Sequence, residues 1–191
     1  IHYFVSKAIG TRRFVRPRVV VTMRGDVSKV ERRAVINAME KIGARHIFVV
    51  EQACAAALGT GLPVYEPQGS IVVDIGGGTT EVALVSMGGV VLSHSVRVAG
   101  NKIDEAIAGF LKKQHAILVT DRVAEQIKFD LADVRSEKKM EHIAIVRGRD
   151  IATGMPLTVD VNMANVSEAI REPLQEILGA IKWVLGRVPP E

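Results

Sequence analysis

Ile71-Val72-Val73-Asp74-Ile75-Gly76-Gly77-Gly78-Thr79-Thr80-Glu81-Val82-Ala83-Leu84-Val85 decides how this chain is read. It is an apolar run, a turn of glycines and threonines, and a second apolar run. Ile71 to Val73 is expected to form a fully buried strand, and Val82 to Val85 the strand that returns. Three successive glycines let the backbone approach a ligand closely and turn its N–H groups toward it. Thr79 and Thr80 add hydroxyl donors. Such a loop suits a phosphate. Asp74 is acceptor-only when ionised, and suits a hydrated divalent cation rather than the phosphate itself. Glycines alone would serve an ordinary hairpin; the order strand, Asp-x-Gly-Gly-Gly-Thr-Thr-Glu, strand is more specific. It is neither of the common glycine phosphate motifs, because no Lys-Ser/Thr follows and no helix opens directly after it.

Composition sets bounds around this stretch. The 191 residues allow one or two domains with a sizeable core, and 48% hydrophobic against 4% aromatic residues makes that core aliphatic. No apolar run approaches the roughly 20 residues of a bilayer span. The start, Ile1-His2-Tyr3-Phe4-Val5, does not read as a signal peptide. One cysteine, Cys54, excludes an internal disulfide framework and fits a reducing cytoplasm. The five histidines have no metal-ligand spacing, so no zinc site is expected. The net charge of +4 is small, and its informative part is local: Arg12, Arg13, Arg16 and Arg18 surround Phe14 and Val15. Two apolar residues dipping into lipid while arginines meet anionic headgroups is one reading of this loop. Nucleic acid is not expected, because no stacking platform or recognition module is visible.

In chain order, His2 to Ile9 reads as the end of a helix stopped by Gly10. Arg18 to Met23 is a β-branched run expected to be a central strand. Ser28 and Glu31 form a capping box, opening a helix whose apolar face is Val30, Ala34, Val35, Ala38, Met39 and Ile42. His46 to Val50 follows as a strand parallel to the first, then a helix from Glu51 to Leu58. Leu62 to Ser70, with Pro63 and Pro67, is the expected domain boundary. Val90 to Val98 is another strand after a Gly88-Gly89 turn. Asn101 is a plausible N-cap for a helix with Ile103, Ile107, Phe110 and Leu111 facing inward, and such a helix start suits anions or ribose hydroxyls. Val123 to Leu131 is a further helix, Arg135 to Glu141 a charged loop, and Ile143–Arg147 with Leu157–Val161 a small pair of strands. Val166 to Leu185 reads as one long helix, bent by Pro173, with a stripe of Ile170, Leu174, Ile177, Leu178, Ile181 and Leu185.

The central stretch resembles the second phosphate loop of the actin-like ATPase superfamily, and the whole chain resembles the bacterial MreB family of rod-shape cytoskeletal proteins. Supporting stretches are Arg18-Val19-Val20-Val21, Val30-Glu31-Arg32-Arg33-Ala34-Val35, Gly61-Leu62-Pro63-Val64, Val98-Ala99-Gly100, Asp104-Glu105-Ala106-Ile107, Ala124-Glu125-Gln126-Ile127-Lys128 and Pro189-Pro190-Glu191. The resemblance implies an α/β, ribonuclease H-like actin fold in part: 1–68 as the remainder of a first lobe, 69–132 with 162–191 as a nucleotide-binding subdomain, and 133–161 as a small satellite. It implies ATP and Mg as cofactors, with Asp74 holding the metal through water and Gly76, Gly77, Gly78, Thr79 and Thr80 around the phosphates. Gln52 would orient the attacking water, acting by position because an amide is a poor base. Gly100, Asn101, Glu125, Gln126, Ile127 and Lys128 would flank the adenosine. Two departures stand out: Glu51-Gln52-Ala53-Cys54 replaces the family's usual Glu-Glu-Pro-Met, and Asn101 stands where an aspartate is usual.

The resemblance further implies homo-polymer filaments on the inner face of the cell membrane, with Phe14 and Val15 toward lipid, and partners in the cell-wall synthesis and shape machinery. It also implies that a first phosphate hairpin precedes Ile1 and that an adenine-binding turn follows Pro189-Pro190-Glu191. The chain is therefore expected to be a fragment that binds ATP weakly or not at all. Each lost charge-assisted hydrogen bond costs roughly 1.5–3 kcal/mol, and two or three such losses take about two decades of affinity. Rival expectations are a non-catalytic relative acting through its surfaces, and a small-molecule kinase of the same superfamily. The kinase would need a catalytic carboxylate, for which Asp74 is the one candidate.

Overall fold

The computed structural model describes residues 2–9, 16–134 and 142–188. Phe14 and Val15, the 135–141 loop and the terminal Pro189-Pro190-Glu191 lie outside the described residues. Two compact units emerge. One comprises residues 1–74, 81–94 and 187–191, and the other residues 75–80 and 95–186.

The first unit contains α1 (His2–Ile9), β1 (Arg18–Met23), α2 (Lys29–Lys41), β2 (His46–Glu51) and α3 (Gln52–Gly59). β1 and β2 pair in parallel from Arg18↔His46 to Met23↔Glu51, as a strand–helix–strand unit requires. The capping box forms as expected. Glu31 N–H donates to Ser28 Oγ at 3.2 Å, and Ser28 N–H donates to Glu31 Oε2 at 3.0 Å. The apolar face of α2 is narrower than the sequence pattern indicates. Met39 is buried, but Val30 is 80% exposed and Ala34 is also exposed, because both lie on the outer side of the helix.

β3 (Ser70–Ile75), β4 (Thr80–Ser86) and β5 (Gly89–Val96) form a three-stranded sheet in that order. The expectation that Ile71 to Val73 is fully buried needs correction. β3 is an edge strand: Val72 is buried, while Ile71 and Val73 are exposed. The fully buried strand is the central one, β4, from Thr80 to Val85. The β4–β5 turn sits one residue earlier than Gly88-Gly89. Its central residues are Met87 (φ 50°) and Gly88 (φ 78°), the two positive φ values whose twist matches a tight hairpin. Ala53, Cys54 and Ala57 of α3 pack with Val64, Val72, Ala83 and Val85. Residues 62–70 thus lie within this unit, and Val64 is part of its core.

The second unit holds α4 (Gly100–His115), β6 (Ile117–Leu118), α5 (Asp121–Leu131), β7 (Ile143–Asp150), β8 (Pro156–Asn162), α6 (Met163–Ala169) and α7 (Arg171–Leu185). β6, β7 and β8 make an antiparallel sheet, in which β6 adds a short strand that the sequence pattern did not indicate. One core joins helices and sheet: Ile107 and Leu111 of α4, Ile127 and Leu131 of α5, Val146, Val161, Val166 and Ile170.

The expected single helix from Val166 to Leu185 is broken at Ile170 into α6 and α7. Pro173 supplies the reason. It has no N–H, so it fits the first turn of a new helix but not the interior of a continuous one. The buried stripe of α7 accordingly becomes Pro173, Ile177, Ala180 and Val184, leaving Leu178 and Leu185 about half exposed.

Candidate nucleotide site

In the second unit, the glycine turn is a tight hairpin clamped onto the start of α4. Gly76 N–H donates to Thr79 O at 3.0 Å. The hairpin carbonyls are taken by the first donors of α4: Gly100 N–H to Gly76 O at 3.1 Å and Asn101 N–H to Gly77 O at 2.8 Å. Among the described residues no acceptor takes the N–H groups of Gly77, Gly78 and Thr79. These three are the amides available to an anion. A Cβ on Gly78 would meet nothing within 4 Å, whereas one on Gly77 would come within 3.1 Å of Asn101 Oδ1. None of the three glycines has a positive φ, so what they provide is close approach and open space.

Thr80 plays another part than the sequence suggests. It is fully buried, and its hydroxyl donates to Val98 O at 2.6 Å, so it anchors the hairpin to the chain leading into α4. Asn101 is not the N-cap either. Ala99 takes that position in extended conformation, and Asn101 lies in the first turn with its side chain under Gly77. With no side-chain cap, the helix start is satisfied by the hairpin carbonyls instead.

The expected nucleoside wall is only partly assembled. Asn101, Asp104, Glu105, Asp121, Arg122 and Glu125 line a cavity of about 550 Å³ at the starts of α4 and α5. Gln126 instead donates to Asp130 at 2.9 Å, and Ile127 is buried in the core. The Lys128 ammonium binds Asp104, at 2.9 Å from Oδ1 and with a hydrogen bond of 3.1 Å to Oδ2.

In the first unit, Gln52 is the first residue of α3 and Asp74 is the penultimate residue of β3. Gln52 Nε2 donates to Asp74 Oδ2 at 2.6 Å. The bond leaves the amide oxygen of Gln52 available to a water, and half of the Asp74 carboxylate available to a cation's hydration shell. Among the described residues there is no cluster of three or more His, Cys, Asp or Glu able to hold a bare metal. A lone carboxylate fits a hydrated ion such as magnesium, which keeps several waters.

Glu81, which sequence reasoning passed over, lies 2% exposed in β4. Its Oε1 accepts from Gly25 N–H at 3.3 Å, and its Oε2 has no partner among the described residues. Burial pushes its carboxyl up from the usual range; the Gly25 bond opposes this, the charge of Asp26 adds to it, Arg24 opposes it and Asp74 adds to it. The signal was present: an acid directly before Val82-Ala83-Leu84-Val85 sits inside a buried run. Cys54 is the buried small residue expected of it, its thiol pushed up first by burial and then by Glu51 and Glu81. The Lys128–Asp104 pair had no sequence signal, because it joins two helices.

The family model described as MreB/Mbl protein matches residues 1–191. The chain belongs to the MreB/Mbl family. The cell shape-determining protein Mbl of Bacillus subtilis is 40% identical over 191 residues, covering all of this chain and 57% of that protein. Cell shape-determining protein MreB of Escherichia coli is 41% identical over 193 residues, covering all of this chain and 55% of that protein. The crystal structure of MreB5 of Spiroplasma citri bound to ADP has a TM-score of 0.91 at 27% identity, across 99% of this chain and 57% of that one. The fold is thus the actin-like fold of MreB proteins, as the α/β expectation had it, and the chain spans just over half the length of the curated MreB/Mbl relatives it matches.

Proposed function

We propose that this chain is the portion of an MreB/Mbl cytoskeletal protein that supplies the second phosphate hairpin of an ATP site, in a protein that polymerises and helps determine cell shape. The observation that carries the reading is the hairpin whose carbonyls are tied to α4 while the N–H groups of Gly77, Gly78 and Thr79 have no acceptor among the described residues. Donors fixed in this way bind phosphate oxygens without reorganising. Membership of the family, and the ADP held by the Spiroplasma citri relative, support the choice of ligand.

Each residue then has a role its surroundings allow. Gly77, Gly78 and Thr79 donate to phosphate oxygens, while Gly76 and Thr80 shape the hairpin. Asn101 and Glu125 face the nucleoside beside the first turn of α4, and Gly100 lets the chain pass close. Gln126, Ile127 and Lys128 support that wall from behind. Asp74 holds the water shell of magnesium, and Gln52, bonded to Asp74, orients a water through its amide oxygen. Magnesium, when bound, neutralises charge on the phosphates.

Filaments on the inner face of the membrane, lipid contact through Phe14 and Val15, and partners in the wall-synthesis and shape machinery belong to the same reading, on the strength of family membership. Calorimetric titration of Mg-ATP into the 191-residue chain tests the site. Weak binding that needs Asp74 and magnesium is expected. No heat up to millimolar ATP would show that this hairpin does not hold phosphate by itself. In a longer chain carrying this sequence, unchanged magnesium-dependent turnover after Asp74→Ala would remove Asp74 from its role.

A further inference from the structure

We propose that Lys128 is a positioning residue for the phosphate hairpin, acting through Asp104 to fix the first turn of α4 on which the hairpin hangs. The pair joins α5 to α4 across 24 residues of sequence, with side chains only 17% and 14% exposed. An ion pair this far withdrawn from water contributes little net stability, since desolvation offsets most of the attraction, and apolar side chains of similar size would serve packing as well. What it provides is a defined geometry. Asp104 lies one turn into α4, directly behind Gly100.

The space around Gly100 shows what that geometry sets. A Cβ built there would stand 3.4 Å from Lys128 Nζ and 3.4 Å from Gly76 O. The ammonium and the hairpin carbonyl therefore both close on the same glycine. The same turn of α4 donates to both hairpin carbonyls, from Gly100 and Asn101. Those two bonds turn the carbonyls of Gly76 and Gly77 inward. Lys128 also stands 5.2 Å from the ring centroid of Phe129, a second restraint on the ammonium. A shift of the ammonium thus passes through Asp104 and Gly100 to the amides of residues 77–79. The consequence for nucleotide affinity rests on the function proposed above; the mechanical link does not.

The test compares the parent chain with Lys128→Met/Asp104→Leu, which removes both charges together, and with Lys128→Arg, which keeps the charge. Thermal midpoint, amide hydrogen exchange and Mg-ATP affinity are measured on each. The double variant is expected to keep its midpoint, while exchange at the bonded amides of Gly76, Gly100 and Asn101 rises about tenfold, a local opening rather than a global one. Mg-ATP affinity should fall by a similar factor, and Lys128→Arg should recover part of both. Unaltered exchange at these residues in a folded double variant would overturn the link. So would a lowered midpoint with exchange rising evenly across the unit, because that describes mere structural support. If the parent itself does not bind Mg-ATP, the functional reading fails while the exchange result still decides the positioning role.

Discussion

Gln52 and Asp74 are joined by a 2.6 Å hydrogen bond from the amide of one to the carboxylate of the other, so the start of α3 is tied to the end of β3. The bond requires a neutral donor at position 52. Gln52→Glu would set two carboxylates against each other, and the shared site would hold a proton more tightly than either acid alone. A folded-state pKa raised above its unfolded value contributes stability below the unfolded value, and that stability is lost as pH rises through the folded one. The variant should therefore match the parent near pH 4 and fall behind it by about 1–2 kcal/mol at neutral pH. Urea unfolding at the two pH values checks this, and a pH-independent difference would refute it.

The hairpin glycines should separate binding from folding. Gly78→Ala adds a methyl that meets nothing of the protein. Its stability should lie within about 0.5 kcal/mol of the parent, while Mg-ATP binding falls at least about tenfold because the methyl occupies the space a phosphate oxygen needs. Gly77→Ala must push Asn101 aside and should cost stability as well. Equal nucleotide affinity in the parent and Gly78→Ala would place the phosphate elsewhere.

Glu81 predicts a pH dependence of its own. Its carboxyl is raised chiefly by burial, so its favourable contribution is full below the unfolded value and is lost as pH rises through the raised one. Glu81→Gln keeps an acceptor for Gly25 N–H and carries no charge. It should be more stable than the parent at neutral pH by about 1 kcal/mol and show no advantage near pH 4. Thermal midpoints across that range decide, and a variant less stable at every pH would show that the ionised carboxylate is wanted.

Met87 holds φ 50° in the β4–β5 turn, a conformation that favours glycine or asparagine. Met87→Gly should raise stability by roughly 0.5–1 kcal/mol. Gly88→Ala should lower it by about 1–2 kcal/mol, since Gly88 has φ 78° and the Tyr65 ring would lie 3.3 Å from the new carbon. Chemical denaturation of the two variants should give opposite signs.

Local signals were legible where short-range chemistry controls the backbone. Ser28 and Glu31 announced the start of α2, and the run from Arg18 to Met23 announced β1 with its bounds, although β1 pairs with β2 alone among the described residues and is not the central strand its β-branched run suggested. Legibility failed where burial depends on distant neighbours. Ile71 and Val73 look as apolar as Val82 and Leu84, yet β3 is at an edge and β4 at the centre. Asn101 has the chemistry of an N-cap, but hairpin carbonyls arriving from residues 76 and 77 satisfy the helix instead. Thr80 looked like a phosphate ligand because nothing local reveals that Val98 O stands 2.6 Å from its hydroxyl. Ala116, in left-handed conformation at the end of α4, carries no glycine or asparagine to mark it.

The chain passes between its two compact units at peptide bonds 74–75, 80–81, 94–95 and 186–187. Neither unit is one continuous stretch: the first is assembled from three segments and the second from two. No single proteolytic cut could release either of them whole, and no simple deletion from one end of the gene could remove one and spare the other. A shortened descendant would have to retain both units or be re-spliced, so the interleaved chain path itself restricts how this protein can be divided.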